Sequence, residues 1–238
     1  MDITYVIIKA ANKHKSILSG GEIKTMKKKL ISILAVCMLA VTLTACGGTE
    51  ESKAPLEVQQ SGYMVEDGFL YYGVKIHNPN EDYAVEFPTL RITAKDAEGN
   101  VINTEDQVFG YIAAGDTIGY GFLGMEVSAQ PSSVDFEMVT NTEDYVDGSL
   151  YDKPQLKATD YKMTKDEFGG STIAGNIVND GADMDTVAVT VLFKDAEGNI
   201  AWGESTFVDH VKTGTTPFSL DIYSGKTTDD YEIWVTPW

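Results

Sequence analysis

Thiols are almost missing from this sequence. Two cysteines, Cys37 and Cys46, stand in 238 residues, and both lie in the first fifth of the chain. Beyond Cys46 there is no sulfhydryl, which excludes disulfide staples, thiolate metal sites and cysteine nucleophiles from the bulk of the protein. Histidine is nearly as scarce, with only His77 and His210 beyond that point. Positive charge is lacking too. The first 45 residues hold seven of the 18 basic side chains and two of the 36 acidic ones, so the remainder carries 11 basic and 34 acidic groups, a net charge of −23. So acidic a surface repels phosphate backbones, because nucleic-acid binding depends on cationic side chains displacing counterions; no nucleic acid is expected as a partner. No apolar run is long enough for a comfortable membrane span of roughly 20 residues.

What is present begins with a signal for export. Lys27, Lys28 and Lys29 precede an uncharged stretch from Leu30 to Thr44, which ends in Leu43-Thr44-Ala45-Cys46. A basic block, an apolar segment of about 15 residues and a small-residue cleavage site define a secretory signal. The final four residues resemble the bacterial lipobox, in which the cysteine is diacylated on sulfur and the bond before it is cut. The resemblance implies a signal peptide over 26–45, lipid on Cys46, and a mature protein held on the outer face of the bacterial membrane by two or three acyl chains, palmitate among them. That number gives stable anchoring where one chain would be marginal. Residues 1–25 add nothing to such a signal. Gly20-Gly21-Glu22 can be encoded by a purine-rich stretch at ribosome-binding distance from the Met26 codon, so translation is expected to start at Met26, with 1–25 an upstream extension. A long basic region made from Met1 is the other reading.

Residues 46–56 are small and polar and read as a lipidated tether. After them comes an internal repeat. Lys95-Asp96-Ala97-Glu98-Gly99-Asn100 recurs unchanged at Lys194 to Asn199, and the same offset pairs Val101 with Ile200 and Gly115-Asp116-Thr117 with Gly214-Thr215-Thr216. Ile76-His77-Asn78 matches Ile177-Val178-Asn179 after a two-residue adjustment. The two copies span 57–140 and 155–238. Apolar residues alternate within each, as in Val187, Val189, Val191 and Phe193 of the second and Leu90 and Ile92 of the first, the period of half-buried strands. Strands are expected at 69–77, 101–108, 118–122 and 134–139, and at 173–178, 200–208, 217–222 and 231–235. Seven or so short strands per copy without an amphipathic helix predict an all-β chain of two tandem antiparallel β-sandwiches.

The shared Asp-Ala-Glu-Gly-Asn reads as a hairpin turn. Gly99 and Gly198 take the left-handed conformation, and Asp96 and Asp195 bond to nearby amides. A calcium loop is the sharper alternative, but calcium wants six to eight oxygens and the loop supplies few, so no metal is expected.

These residues carry a family resemblance. Asn179, the alternating valines, the run Phe193 to Ile200, Val208, Val211 and Gly214 together resemble the FxLYD-type domains and related immunoglobulin-like modules of bacterial lipoproteins. Lys194 stands where that family has tyrosine, and the first copy lacks the aromatic at Ala94-Lys95-Asp96, making the second copy the better match. The resemblance implies immunoglobulin-like sandwiches at the cell surface and carries no catalytic residues with it.

Nothing in the chain assembles an active site by pattern. Ser205, Asp209 and His210 supply the residue types of a hydrolytic triad, but within six residues of one strand they could not easily converge. Acid pairs are too numerous to be informative. The chain is therefore expected to be no enzyme and to need no cofactor. It reads as a binding or spacer module of the envelope that contacts an unidentified envelope protein or glycan. Tyr71, Tyr72, Tyr111, Tyr120, Trp202, Trp234 and Trp238 could stack on sugar rings, so a carbohydrate-binding module is the alternative. Flat, solvent-facing rings would favour glycan, and buried rings the first reading.

Overall fold

The structure is a computed structural model that describes residues 53–238, apart from Phe168, Tyr223 and the side chain of Leu123. The signal segment and Cys46 lie outside the described residues. Within the first copy the strands are β1 (Glu57–Glu66), β2 (Phe69–His77), β3 (Tyr83–Glu86), β4 (Thr89–Lys95), β5 (Val101–Val108), β6 (Tyr111–Ile112), β7 (Thr117–Glu126) and β8 (Ser133–Val139). A connecting stretch holds β9 (Tyr145–Asp147) between two short 3-10 turns. The second copy contributes β10 (Leu156–Lys165), β11 (Ser171–Asn179), β12 (Met184–Lys194), β13 (Ile200–Val211), β14 (Gly214–Ile222) and β15 (Tyr231–Pro237). Among the described residues there is no α-helix, and all strand pairs are antiparallel. The all-β sandwich class expected from the alternation is the observed one.

Each copy forms two three-stranded sheets of matching order, and β3 and β6 of the first copy join β9 of the connecting stretch in a further small sheet, β6-β3-β9. In the first, β1-β2-β7 covers β5-β4-β8; in the second, β10-β11-β14 covers β13-β12-β15. Alternation builds the cores. Leu70, Tyr72, Val74 and Ile76 of β2 face Leu90, Ile92 and Ala94 of β4, while Val187, Val189, Val191 and Phe193 of β12 face Ile173, Ile177, Phe218 and Leu220. Asn78 and Asn179 play the same part at the ends of β2 and β11. Each is buried, donates its side-chain amide to a carbonyl of the next turn (Tyr83 O at 2.8 Å, Ala182 O at 2.7 Å), and accepts a backbone N–H two residues on. Burying a polar side chain is tolerated there because these bonds replace water.

The opposite face of β2 is also covered, by the second copy. Tyr71, Gly73 and Lys75 point to the sheet β13-β12-β15, whose Ala188, Thr190 and Leu192 are fully buried on the side away from their own core. A strand buried on both faces reads as a near-continuous apolar run, and Val187 to Phe193 is one, interrupted by Thr190 alone. The order of layers is therefore β5-β4-β8, β1-β2-β7, β13-β12-β15 and β10-β11-β14.

Glycine makes the middle contact possible. Gly62 of β1 pairs with Gly73 of β2, and Gly73 pairs with Gly121 of β7, so three glycines form an unbroken row across the sheet. Strand β13 lies along this row. A Cβ on Gly62 would run into the Ile200 carbonyl, one on Gly73 would lie 2.9 Å from the Trp202 carbonyl carbon, and one on Gly121 would lie 2.5 Å from that of Gly203. Neighbouring strands are about 4.8 Å apart and a strand rises about 3.3 Å per residue. Advancing one strand every residue or two means that β13 crosses β1, β2 and β7 steeply, as in orthogonal sheet packing. Ser205 Oγ donates to the Gly121 carbonyl at 2.6 Å and is itself bonded to Thr190 Oγ1 at 2.6 Å, fixing the register of the crossing.

Candidate functional site

The repeated turn has one geometry in both copies. Asp96 Oδ1 accepts the backbone N–H groups of Glu98 (3.0 Å) and Asn100 (2.7 Å), and its Oδ2 accepts Asn100 Nδ2 at 2.9 Å. Asp195 repeats this with Glu197 N at 3.0 Å and Asn199 N at 2.8 Å. Gly99 and Gly198 have φ of +85° and +82°, the left-handed region. The Asn100 side chain and the loop amides hold the Asp96 carboxyl below its ordinary value, and Asn199 does the same for Asp195. Both carboxylates are thus turned onto the donors of their own loop. Among the described residues, no three His, Cys, Asp or Glu side chains are grouped to hold a metal ion.

The Ser, Asp and His of β13 part company. Ser205 bonds to Gly121 and Thr190, Asp209 accepts Thr186 Oγ1 at 2.7 Å, and His210 is exposed with φ of +56°. His77, in the first copy, bonds through Nδ1 with the Asp116 carbonyl and Thr117 Oγ1.

Most of the aromatic residues serve packing. Tyr72, Tyr120 and Trp202 are buried, Trp202 stacks on Phe193 at 4.6 Å, and Tyr71 meets Trp202 edge-on at 5.6 Å across the copies. Tyr111 stacks on Tyr151 at 4.3 Å, which fastens the connecting stretch to the first copy. Trp234 lies over Gly119 with the Lys75 ammonium 5.3 Å from its ring centre. Trp238 is 39% exposed; it stacks on Tyr120 and meets the exposed Phe207 ring at 4.8 Å, tilted by 56°.

Where β1, β8 and β13 meet, the two copies together enclose an open cleft of about 560 Å³. Tyr63 and Met64 of β1 and Phe136 of β8 form one wall; Ala201 and Trp202 of β13 form the other, with Lys226 at its margin. Lys226 bridges the copies, donating to the Val65 carbonyl at 3.1 Å and lying 3.7 Å from the Glu66 carboxylate. The lining joins aromatic, aliphatic and thioether side chains with one ammonium, Lys226, and one acid, Asp195, whose carboxylate is turned onto its own loop; it suits a largely apolar or aromatic group presented from outside. No local sequence pattern marks this cleft, since it depends on how the copies pack.

Two carboxylates sit at the same junction in contrasting states. Glu232 of β15 lies between Lys75 of the first copy (2.5 Å, an ion contact) and Lys194 (3.3 Å). Burial raises its pKa, but Lys75, Trp234 and Lys194 outweigh that and leave it lowered. Among the described residues Glu204 of β13 has no such cation, and burial pushes it up to about 7.

No protein-family model matches this chain, and no curated protein matches it.

Proposed function

We propose that this chain is a noncatalytic cell-surface lipoprotein, held by lipid on Cys46, whose exported part is a binding or spacer module of the bacterial envelope. The observation that carries this reading is the composite cleft. It is walled by both copies, and the glycine row that seats β13 keeps those walls in register. A rigid junction with apolar, aromatic walls presents a surface without needing an acid, a base or a nucleophile. The FxLYD resemblance, with its immunoglobulin-like sandwiches and surface address, agrees with it. The glycan alternative has less support, because most of the rings are spent in the cores and the exposed Phe207 and Trp238 are tilted by 56° rather than forming a flat platform.

The test is retention from native envelope extract on the immobilised soluble form, residues 50–238, alongside a glycan array. The expected result is saturable capture of an envelope protein, weakened at least tenfold by Ser61→Trp, which fills the cleft from an exposed position on β1. Binding confined to glycans would replace this reading with the alternative.

A further inference from the structure

The N-terminal end of the first copy is fastened by more than its first strand. Ala54 and Asn80 exchange two hydrogen bonds, Ala54 N to Asn80 Oδ1 and Asn80 Nδ2 to Ala54 O, both at 2.8 Å. Asn80 is in turn held by Asn78. Lys53 Nζ donates to the carbonyls of Thr142 (3.3 Å) and Tyr145 (3.2 Å), and lies over the rings of Tyr83 and Tyr145 at 5.0 and 5.6 Å. The chain is thus gripped three residues before Leu56 enters the core.

From this geometry we infer that the grip on Lys53 and Ala54 decides which end of the exported unit faces the lipid bilayer. The end bearing Asn80, Asp82 and Thr142 lies next to the lipid. The opposite end, with Asp67 and Glu98, is held outward. The inference rests on the reading of Cys46 as the lipidated residue.

Lengths decide the matter. Seven chain steps separate Cys46 from Lys53, and at no more than about 3.6 Å each they reach about 25 Å. Strand β1 runs from the gripped end to the Asp67-Gly68 turn, and its ten residues cover about 30 Å. The same far end carries the Glu98 turn, because Val127 N bonds to Gly68 O and Ser132 N to Lys95 O. With the grip in place the lipid link is shorter than the unit is long, so the unit cannot stand inverted, with its far end on the membrane and its gripped end a full strand length above it. Without it the first fixed residue is Leu56, ten steps from Cys46, and a reach of about 36 Å removes the restriction. Charge opposes the link and sets how closely this end approaches. Glu81, Asp82 and Glu143 are exposed at the gripped end and are repelled by anionic headgroups, so this end stands off the surface within the reach of the link rather than sinking into it.

The absence of any other thiol beyond Cys46 makes the test clean. The full chain is expressed in a bacterial host with Asp82→Cys or Glu98→Cys, extracted from membranes, labelled with a donor dye and placed in nanodiscs whose headgroups carry an acceptor. Mass spectrometry of the peptide beginning at Cys46 reads the anchor separately. Energy transfer is expected to be at least twofold stronger from the Asp82→Cys site than from the Glu98→Cys site. The difference should shrink by more than half in Lys53→Ala and more so with Asn80→Ala added, with near-ultraviolet dichroism of the aromatic cores unchanged in the first variant. Equal transfer from the two sites with the acyl mass present, or a difference that survives both substitutions, overturns the orientation alone. A Cys46 peptide without acyl mass overturns the anchoring, and the orientation with it.

Discussion

Gly121 of the first copy and Gly203 of the second meet back to back. A Cβ on Gly121 would fall 2.6 Å from the Gly203 Cα, and one on Gly203 would fall 3.2 Å from the Gly121 Cα. Two backbones can come this close only where neither carries a side chain. The copies differ at this point. Counting from Ile76 and Ile177, the row Gly62, Gly73, Gly121 corresponds to Lys162, Ala174 and Ser219, which pair with one another in the same way. All three lie exposed on the outer face of the second copy, while Gly203 has Thr104 as its counterpart, exposed on the first. The groove exists once, so the stack of layers is closed after two copies by polar outer faces, as terminal repeats require.

It follows that Gly73→Val should be far more damaging than Ala174→Val. The first substitution drives a branched side chain into Leu192, Trp202 and Gly203 and should cost about 1 to 3 kcal/mol, the range for overpacking. The second sits on an exposed strand face and should be within about 0.5 kcal/mol of neutral. Because both copies lose the same contact, calorimetry of residues 50–238 should show the whole transition lowered by Gly73→Val. A drop confined to part of the transition would mean that the groove matters to one copy only.

Gly198 offers a strain that involves no contact. Nothing lies within 4 Å of a Cβ built there, yet φ is +82°. Gly198→Val should therefore destabilise by roughly 1 to 3 kcal/mol through the backbone alone, while Gly198→Asn should recover most of that, since asparagine tolerates the left-handed region. If valine and asparagine cost the same in urea titration, conformational strain is not the reason for the glycine.

The strands were legible because their alternation is local: β2 and β5 have the bounds that periodicity predicts, and β8, β11 and β14 differ by no more than three residues at an end. Strands β1 and β10 escaped, since both carry many polar residues and both break register, at Val58 to Gln60 and at Thr159 to Lys162. Turn glycines were legible from their neighbours. The glycine row was not, because Gly62, Gly73 and Gly121 become adjacent only once the strands pair. Each did leave a faint signal as a glycine within a strand, where close approach of another backbone is a usual cause. The cleft and the grip on Lys53 join residues far apart in sequence, and no local pattern announces either.

Anchoring at Cys46 makes a direct chemical prediction. Growth with a palmitate analogue should label the protein, and Cys46→Ala should abolish the label and release the exported part from the membrane fraction. Replacing the Met1 codon should leave expression intact if, as proposed, the export signal runs from Met26. Unchanged labelling in Cys46→Ala would remove the lipid attachment, and lost expression would make the longer N-terminus real.

Glu204 ties stability to pH at the junction between the copies. Its carboxyl lies on β13 beside Tyr71, and burial raises its pKa to about 7 from an ordinary 4.5. The folded state therefore holds this proton more tightly than the unfolded state does. Between about pH 4.5 and 7 the unfolded chain has released it while the folded chain keeps part of it, so this group's contribution to stability falls as pH rises through that window and levels off above it. A shift of this size corresponds to at most about 3 kcal/mol, and because the carboxyl keeps some of its water the measurable loss should be about 1 to 2 kcal/mol. Glu204→Gln keeps the shape without the charge. It should match the parent near pH 4.5, exceed it by that amount at pH 8, and flatten this part of the pH profile in urea denaturation. Parallel profiles for the two proteins across pH 4.5 to 8 would show that the carboxyl titrates normally and that the junction does not sense pH.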